Sequence, residues 1–202
     1  MINAFSTIKI KPEYIPLTQQ KHLCFPCCIQ WVLLRRGLKM IGQETLAKEL
    51  GVVIASGNQK LFNTRLKTAK EVIKGKTAYG TWKFTLPQAL KKLRVPLSVK
   101  RFAPSKIKDV RKFLEDNLKN GHDTIVPTNI TPFSDQLILD ITGYVHSMVI
   151  CAIRTKNGKT SVKLGDPAYM AKKFIWVDLG KVLAGMSKEF GKEKKFIVFS
   201  GV

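Results

Sequence analysis

Between Cys27 and Arg36 the side chains of Cys28, Ile29, Trp31, Val32 and Leu33 spread over a wide arc of a helical wheel, and Gly37 stops the pattern. A helix that is apolar over so much of its circumference cannot stand at a surface. It has to be a buried central helix, and the rest of the chain must supply the layers around it. Pro26 suits the first turn of such a helix, because a proline there gives up no intrahelical hydrogen bond. With 202 residues, 45% of them hydrophobic, the chain is one domain's worth and can bury a sizeable core.

The patterns around that helix fall in an order. Residues 1–23 read as an irregular or extended arm. Gln43–Leu50 reads as a short helix closed by Gly51 in the left-handed position. Residues 55–80 are basic and weakly patterned. Thr85 predicts an N-cap, with Pro87 just inside a helix that runs to about Leu93. Leu97–Phe102 alternates like a strand. Ser105 predicts the cap of another helix, with Ile107, Val110, Phe113, Leu114 and Leu118 on one face and Gly121 at its end. Strands follow over Thr124–Ile130, Tyr144–Ile153, Thr160–Leu164, Phe174–Val177 and Phe196–Phe199. Helices first and an antiparallel sheet second is an α+β order. No internal repeat or linker divides the chain, so residues 1–202 are expected to form a single domain.

Several function classes are excluded or narrowed by composition. No apolar run approaches the ~18 residues of a membrane span. The N-terminus lacks the apolar core and cleavage site of a secretory signal. Three of the four cysteines are Cys24, Cys27 and Cys28, a clustering that predicts reduced thiols with local chemistry and a cytoplasmic protein. The net charge is +21, and residues 60–119 alone carry 17 basic and 4 acidic side chains, net +13. Such a field attracts nucleic acid or acidic partners. With Phe62, Tyr79, Trp82 and Phe84 interleaved, this segment is one route to a nucleic-acid-binding module.

Three elements carry chemistry. The first is Gln19–Leu33. A cysteine at a helix mouth faces unpaired backbone N–H groups that favour its thiolate. Cys24 lies two residues before Pro26 and takes that place; Cys28 lies a turn inside, and Cys27 is intermediate. The second is Tyr144–Ile153, where His146 is the one histidine of three on a rigid strand, able to hold a base in one orientation. His22 falls in a polar loop and His122 after the helix-ending Gly121. The third is Gly165-Asp166-Pro167. If Lys156-Asn157-Gly158 forms a three-residue hairpin loop, Asp166 becomes the diagonal same-face neighbour of His146 and can orient its ring. A two-residue turn at Asn157-Gly158 would send Asp166 to the other face. Zinc is a rival reading of His22, Cys24, Cys27 and Cys28, but structural zinc usually draws two ligands from a distant segment.

Together these elements resemble the papain-like cysteine peptidase superfamily, and within it the bacteriocin-leader (double-glycine) peptidases and their stand-alone relatives. The resemblance rests on Cys24-Phe25-Pro26-Cys27-Cys28-Ile29, then Gln43-Glu44-Thr45-Leu46-Ala47, then His146-Ser147-Met148-Val149-Ile150 and Asp166-Pro167. It covers residues 55–120 poorly. It implies a papain-like fold, with an N-terminal helical part whose central nucleophile helix packs on a C-terminal antiparallel sheet. It implies Cys24 as nucleophile, His146 as general base and Asp166 as orienting carboxylate. The papain motif itself would place the nucleophile at Cys27. Gln19 is implied in the oxyanion hole, five residues before Cys24, with Gln20 four residues before it. Phe25 replaces the glycine that usually follows the nucleophile and is expected to crowd the substrate. The activity implied is cleavage of a peptide or amide bond in a peptide or protein substrate through a thioester, with no cofactor. The same machinery serves an acyltransferase when an amine captures the thioester. A basic binding module on an impaired peptidase fold is the remaining alternative.

Overall fold

A computed structural model describes residues 6–69, 85–136, 145–168, 172–190 and 192–201. Its order is β1 (Ser6–Lys9), α1 (Cys24–Arg35), α2 (Gln43–Leu50), β2 (Val53–Ala55), β3 (Lys67–Ala69), α3 (Leu86–Lys92), β4 (Ser98–Phe102), α4 (Val110–Lys119), β5 (Asp123–Asn129), β6 (Val145–Lys156), β7 (Lys159–Gly165), β8 (Phe174–Asp178), α5 (Leu179–Met186) and β9 (Phe196–Ser200). The fold is α+β. A seven-stranded antiparallel sheet in the order β4-β9-β5-β6-β7-β8, with β1 also on β6, stands against the N-terminal helices. β2 and β3 form a separate parallel pair.

β6 organises the sheet. β5 pairs with its first half, from Val145 to Val149, and β1 pairs with its second half, from Ala152 to Thr155. β7 takes the opposite edge. β6 is buried from His146 to Ile153, and α1 and α4 pack against it. β1 is a short strand within what the sequence predicts as an arm.

α1 is the central helix expected from its composition. All its residues except Leu34 are buried. It begins at Cys24, three residues earlier than the apolar pattern predicts, so Pro26 stands third in the helix. That costs nothing, since the first four N–H groups of a helix have no intrahelical acceptor. The first helical bond is donated by Cys27 N–H to Leu23 O at 2.9 Å. No side chain caps the N-terminus and no acid lies in the first turn, so its positive end is left to Cys24.

The far end of α1 is fixed by a buried carboxylate. Asp123, fully buried at the start of β5, is paired with Arg35 and Arg36 and accepts a hydrogen bond from Tyr14 Oη at 2.6 Å. Arg35 Nη2 also donates to Gly121 O at 2.8 Å. Burial and the Asp123 charge push the Tyr14 phenol well above its usual range, so it stays a donor.

Two helices depart from expectation. α4 is capped by Asp109, whose carboxylate accepts from Lys112 N–H at 2.9 Å. Ser105 instead sits in a 3-10 turn over Pro104–Lys106. α5 was hidden by its glycines. Gly185 is needed there: a Cβ would lie 2.1 Å from Asn129 O and 2.4 Å from Thr128 Oγ1. This close approach seats α5 on β5 at Thr128, which is paired with His146 on β6.

Candidate active site

Three elements bring the site together. α1 supplies Cys24 at its first residue, β6 supplies His146 near its start, and the end of β7 leads into Asp166. The register between β6 and β7 decides whether the last two meet. Lys156 faces Lys159, so the hairpin is the two-residue Asn157-Gly158 turn, with φ of 50° and 73°. Both residues are left-handed, as a type I′ turn requires. Of the two loops the sequence left open, the two-residue turn is the one that forms. The predicted neighbourhood of His146 and Asp166 nonetheless holds, because the ladder slips by one residue between Ile150 and Ala152. Cys151 is the extra residue of this bulge. From there Ile150 faces Leu164 and Val149 faces Gly165, the register that the longer loop would have given.

His146 Nε2 and Asp166 Oδ1 are 2.7 Å apart, and both residues are buried. The same carboxylate oxygen accepts from Ala168 N–H at 2.8 Å, and Asp166 N–H donates to Lys173 O at 2.9 Å. Lys173 Nζ closes this loop by donating to Ala168 O at 2.9 Å and to Thr18 Oγ1 at 3.0 Å. The Cys24 thiol interacts with His146 and with Ser147. Cys28 Sγ donates to Ser147 O at 3.2 Å, tying α1 to β6 one residue from His146.

The electrostatics follow from these contacts. Burial opposes ionisation of Cys24, but the hydrogen bond and charge of His146, with the Ser147 donors, outweigh it and hold the thiol below its ordinary value. For His146 burial opposes the charged form, yet the bonds to Asp166 and Cys24 push its pKa up to about 10. Asp166 is likewise held below the usual carboxylate range: burial alone would raise it, and the His146 bond and charge prevail. All three shifts favour the charged forms: thiolate, imidazolium and carboxylate. The other thiols behave oppositely. Burial pushes Cys27 up to about 12 and also raises Cys28 and Cys151 well above the ordinary thiol value. Cys24 is the ionisable thiol of the four.

The two glutamines before α1 have separate surroundings. Gln20 is drawn to α2: its N–H donates to Gln43 Oε1 at 2.8 Å and its side-chain amide to Glu44 Oε1 at 3.1 Å. Gln19 N–H donates to Pro167 O at 2.8 Å, which sets this residue beside the Asp166 loop. Phe25 is fully buried in the core. His22 is not part of the row. It has a φ of 65°, and its Nε2 lies 2.9 Å from Asn58 Nδ2.

Sequence reasoning missed Ser147, Ala168 and Lys173. All three act through backbone groups, which leave no mark in a sequence. Gly165 did have a signal in its place before Asp166. A Cβ there would lie 2.5 Å from Trp31 Cζ3 and 2.7 Å from Val149 Cγ2. Glycine lets the indole lie against β7 just before the carboxylate.

Among the described residues no group of three or more His, Cys, Asp or Glu side chains is placed to hold a metal ion. No helix among them is long and apolar enough to cross a membrane. Of the basic middle segment, Arg65, Lys67 and Lys92 line an open cleft of about 650 Å³ with Lys48 and Glu49. Tyr79, Trp82 and Phe84 lie outside the described residues.

Among solved structures the chain is similar to digestive procathepsin L 3 from the larval midgut of Tenebrio molitor. The match has 11% identity and a TM-score of 0.49, over 96% of this chain and 69% of that one. No protein-family model matches the chain, and no curated protein sequence does.

Proposed function

We propose that the protein is a cysteine-dependent hydrolase of the papain-like type that cleaves a peptide or amide bond through Cys24, His146 and Asp166. The observation that carries this reading is a cysteine at an uncapped helix N-terminus that interacts with an imidazole held by Asp166 at 2.7 Å. The Cys24 thiolate attacks the carbonyl carbon of the scissile bond. The backbone N–H of Cys24 and the side-chain amide of Gln19 receive the oxyanion. With Nε2 held by Asp166, His146 presents Nδ1 and passes its proton to the leaving amine as the thioester forms. It then takes a proton from the water that hydrolyses the thioester. Asp166 stays ionised throughout, fixing the ring and favouring its charged form. Gln19 is preferred to Gln20 because Gln20 is committed to α2.

The test is incubation with a mixed peptide library, read by mass spectrometry for new termini. Cleavage by the wild type that is lost in Cys24→Ala and in His146→Ala is the expected result. Cleavage that survives either substitution overturns the assignment.

A further inference from the structure

Cys27 has no part in the proposed catalytic row, yet it stands three residues after Cys24 in the same first turn of α1. Side chains three apart on a helix have Cβ atoms about 5–6 Å from each other. A disulfide needs about 3.5–4.5 Å. The first turn can close that gap, because Cys24 N–H is not held by a helical bond and the ladder starts only at Cys27. Pro26 between them removes one further donor from the turn. Cys28 is the competing partner, one residue on, but its thiol is engaged with Ser147 O on β6. Cys24 retains 7% exposure, whereas Cys27 is fully enclosed, so an oxidant that reaches the helix mouth meets Cys24 first.

We propose that Cys24 and Cys27 form an oxidisable pair, in which Cys24 reacts with a hydroperoxide and Cys27 captures the product as an intrahelical disulfide. This rests on the reading of Cys24 as the reactive thiolate. In the first step the Cys24 sulfur attacks a peroxide oxygen. An S–O bond forms, the O–O bond breaks, and the hydroperoxide is reduced to water or an alcohol, leaving Cys24 as a sulfenic acid. In the second step the Cys27 sulfur attacks the Cys24 sulfur. The S–S bond forms, the S–O bond breaks, and the hydroxyl leaves as water with the proton of the Cys27 thiol. Two thiols thus lose two electrons to one peroxide. The bond blocks the nucleophile and protects it from irreversible oxidation to sulfinic acid. A dithiol reverses it by exchange, favoured because a disulfide at the edge of its geometric range is readily reduced.

The experiment uses the full chain. Reduced protein is treated with limiting hydrogen peroxide, alkylated with iodoacetamide and digested with trypsin. The peptide spanning residues 22–35 carries all three clustered cysteines with no internal Lys or Arg. The expected product has lost two hydrogens and is alkylated only on Cys28, and dithiothreitol restores three alkylatable thiols. In Cys27→Ser and Cys27→Ala no disulfide forms, and a second equivalent of peroxide carries the Cys24 sulfenic acid on to sulfinic acid, which dithiothreitol does not restore; Cys28→Ser behaves as wild type. A wild-type disulfide to Cys28, or wild-type sulfinic acid formed as fast as in Cys27→Ser, overturns the proposal. Rapid alkylation of Cys24 at neutral pH without any disulfide overturns the proposal alone. Inertness of Cys24 to both reagents overturns the functional reading with it.

Discussion

Replacing Gly165 with alanine puts a methyl carbon where the structure has no room. The new Cβ would stand 2.5 Å from Trp31 Cζ3, 2.7 Å from Val149 Cγ2 and 3.1 Å from Cys151 Sγ. Carbon atoms settle at about 3.5–4.0 Å, so the first two contacts are about 1 Å too close. Neither neighbour can give way cheaply. Trp31 is fully buried, donates to Leu17 O at 3.2 Å, and packs against Tyr14 and Phe174. Val149 is fully buried in the middle of β6. Overpacking of this kind costs about 1–3 kcal/mol. For a chain of this size that lowers Tm by roughly 2–12 °C, at about 2–4 °C per kcal/mol. The strain falls on the residue before Asp166, so the reactivity of Cys24 at neutral pH should drop as well. Thermal unfolding with parallel alkylation of Cys24 measures both. Gly57→Ala is the control: its added Cβ meets nothing within 4 Å, and stability should hold within about 0.5 kcal/mol. If Gly165→Ala kept both the Tm and the Cys24 reactivity of the wild type, the packing account of the Asp166 loop would be refuted.

Activity on a peptide found by library screening should follow a bell in pH. It rises as Cys24 ionises below the ordinary thiol range and falls as His146 loses its proton near pH 10. In Asp166→Asn the bell should narrow, because the carboxylate is a main support of the imidazolium: the alkaline limb moves down and the acid limb up. An unmoved alkaline limb in the kcat/KM profile would show that Asp166 does not act on His146. Asp123→Ala should cost about 3–5 kcal/mol in urea unfolding, since it strands two guanidinium groups at the buried end of α1. A loss under about 1 kcal/mol would mean that the cluster does not anchor the helix.

The buried nature of α1 was legible because its apolar arc is too wide for any surface, and the strands of the C-terminal half because they are short apolar runs rich in Val and Ile. Three features were not legible, for physical reasons. The start of α1 is set by where the chain turns before Cys24, and a helix that begins without a side-chain cap announces no boundary. α5 carries Gly180 and Gly185, poor helix formers, and Gly185 is required by the close approach of β5. The hairpin register is the sharpest case. The Asn157-Gly158 turn and the Cys151 bulge each shift the pairing by one residue in opposite senses. A three-residue loop without a bulge and a two-residue turn with one therefore give His146 and Asp166 the same neighbourhood. A bulge inside an apolar strand has no sequence signature of its own. The helix-mouth position of Cys24 was readable from the spacing to Pro26. Its interaction with Ser147 was not, because it depends on how β6 meets α1.

The central claim is that Cys24 is held as a thiolate by His146. The pH dependence of its alkylation by iodoacetamide, mapped residue by residue over pH 5–9, tests this most directly. The account predicts that Cys24 reacts with an apparent pKa well below the ordinary ~8.5 of a thiol. It also predicts that Cys27, Cys28 and Cys151 lag behind, and that His146→Ala moves the Cys24 value upward. A Cys24 that titrates at or above the ordinary value, or is indifferent to His146→Ala, would contradict it.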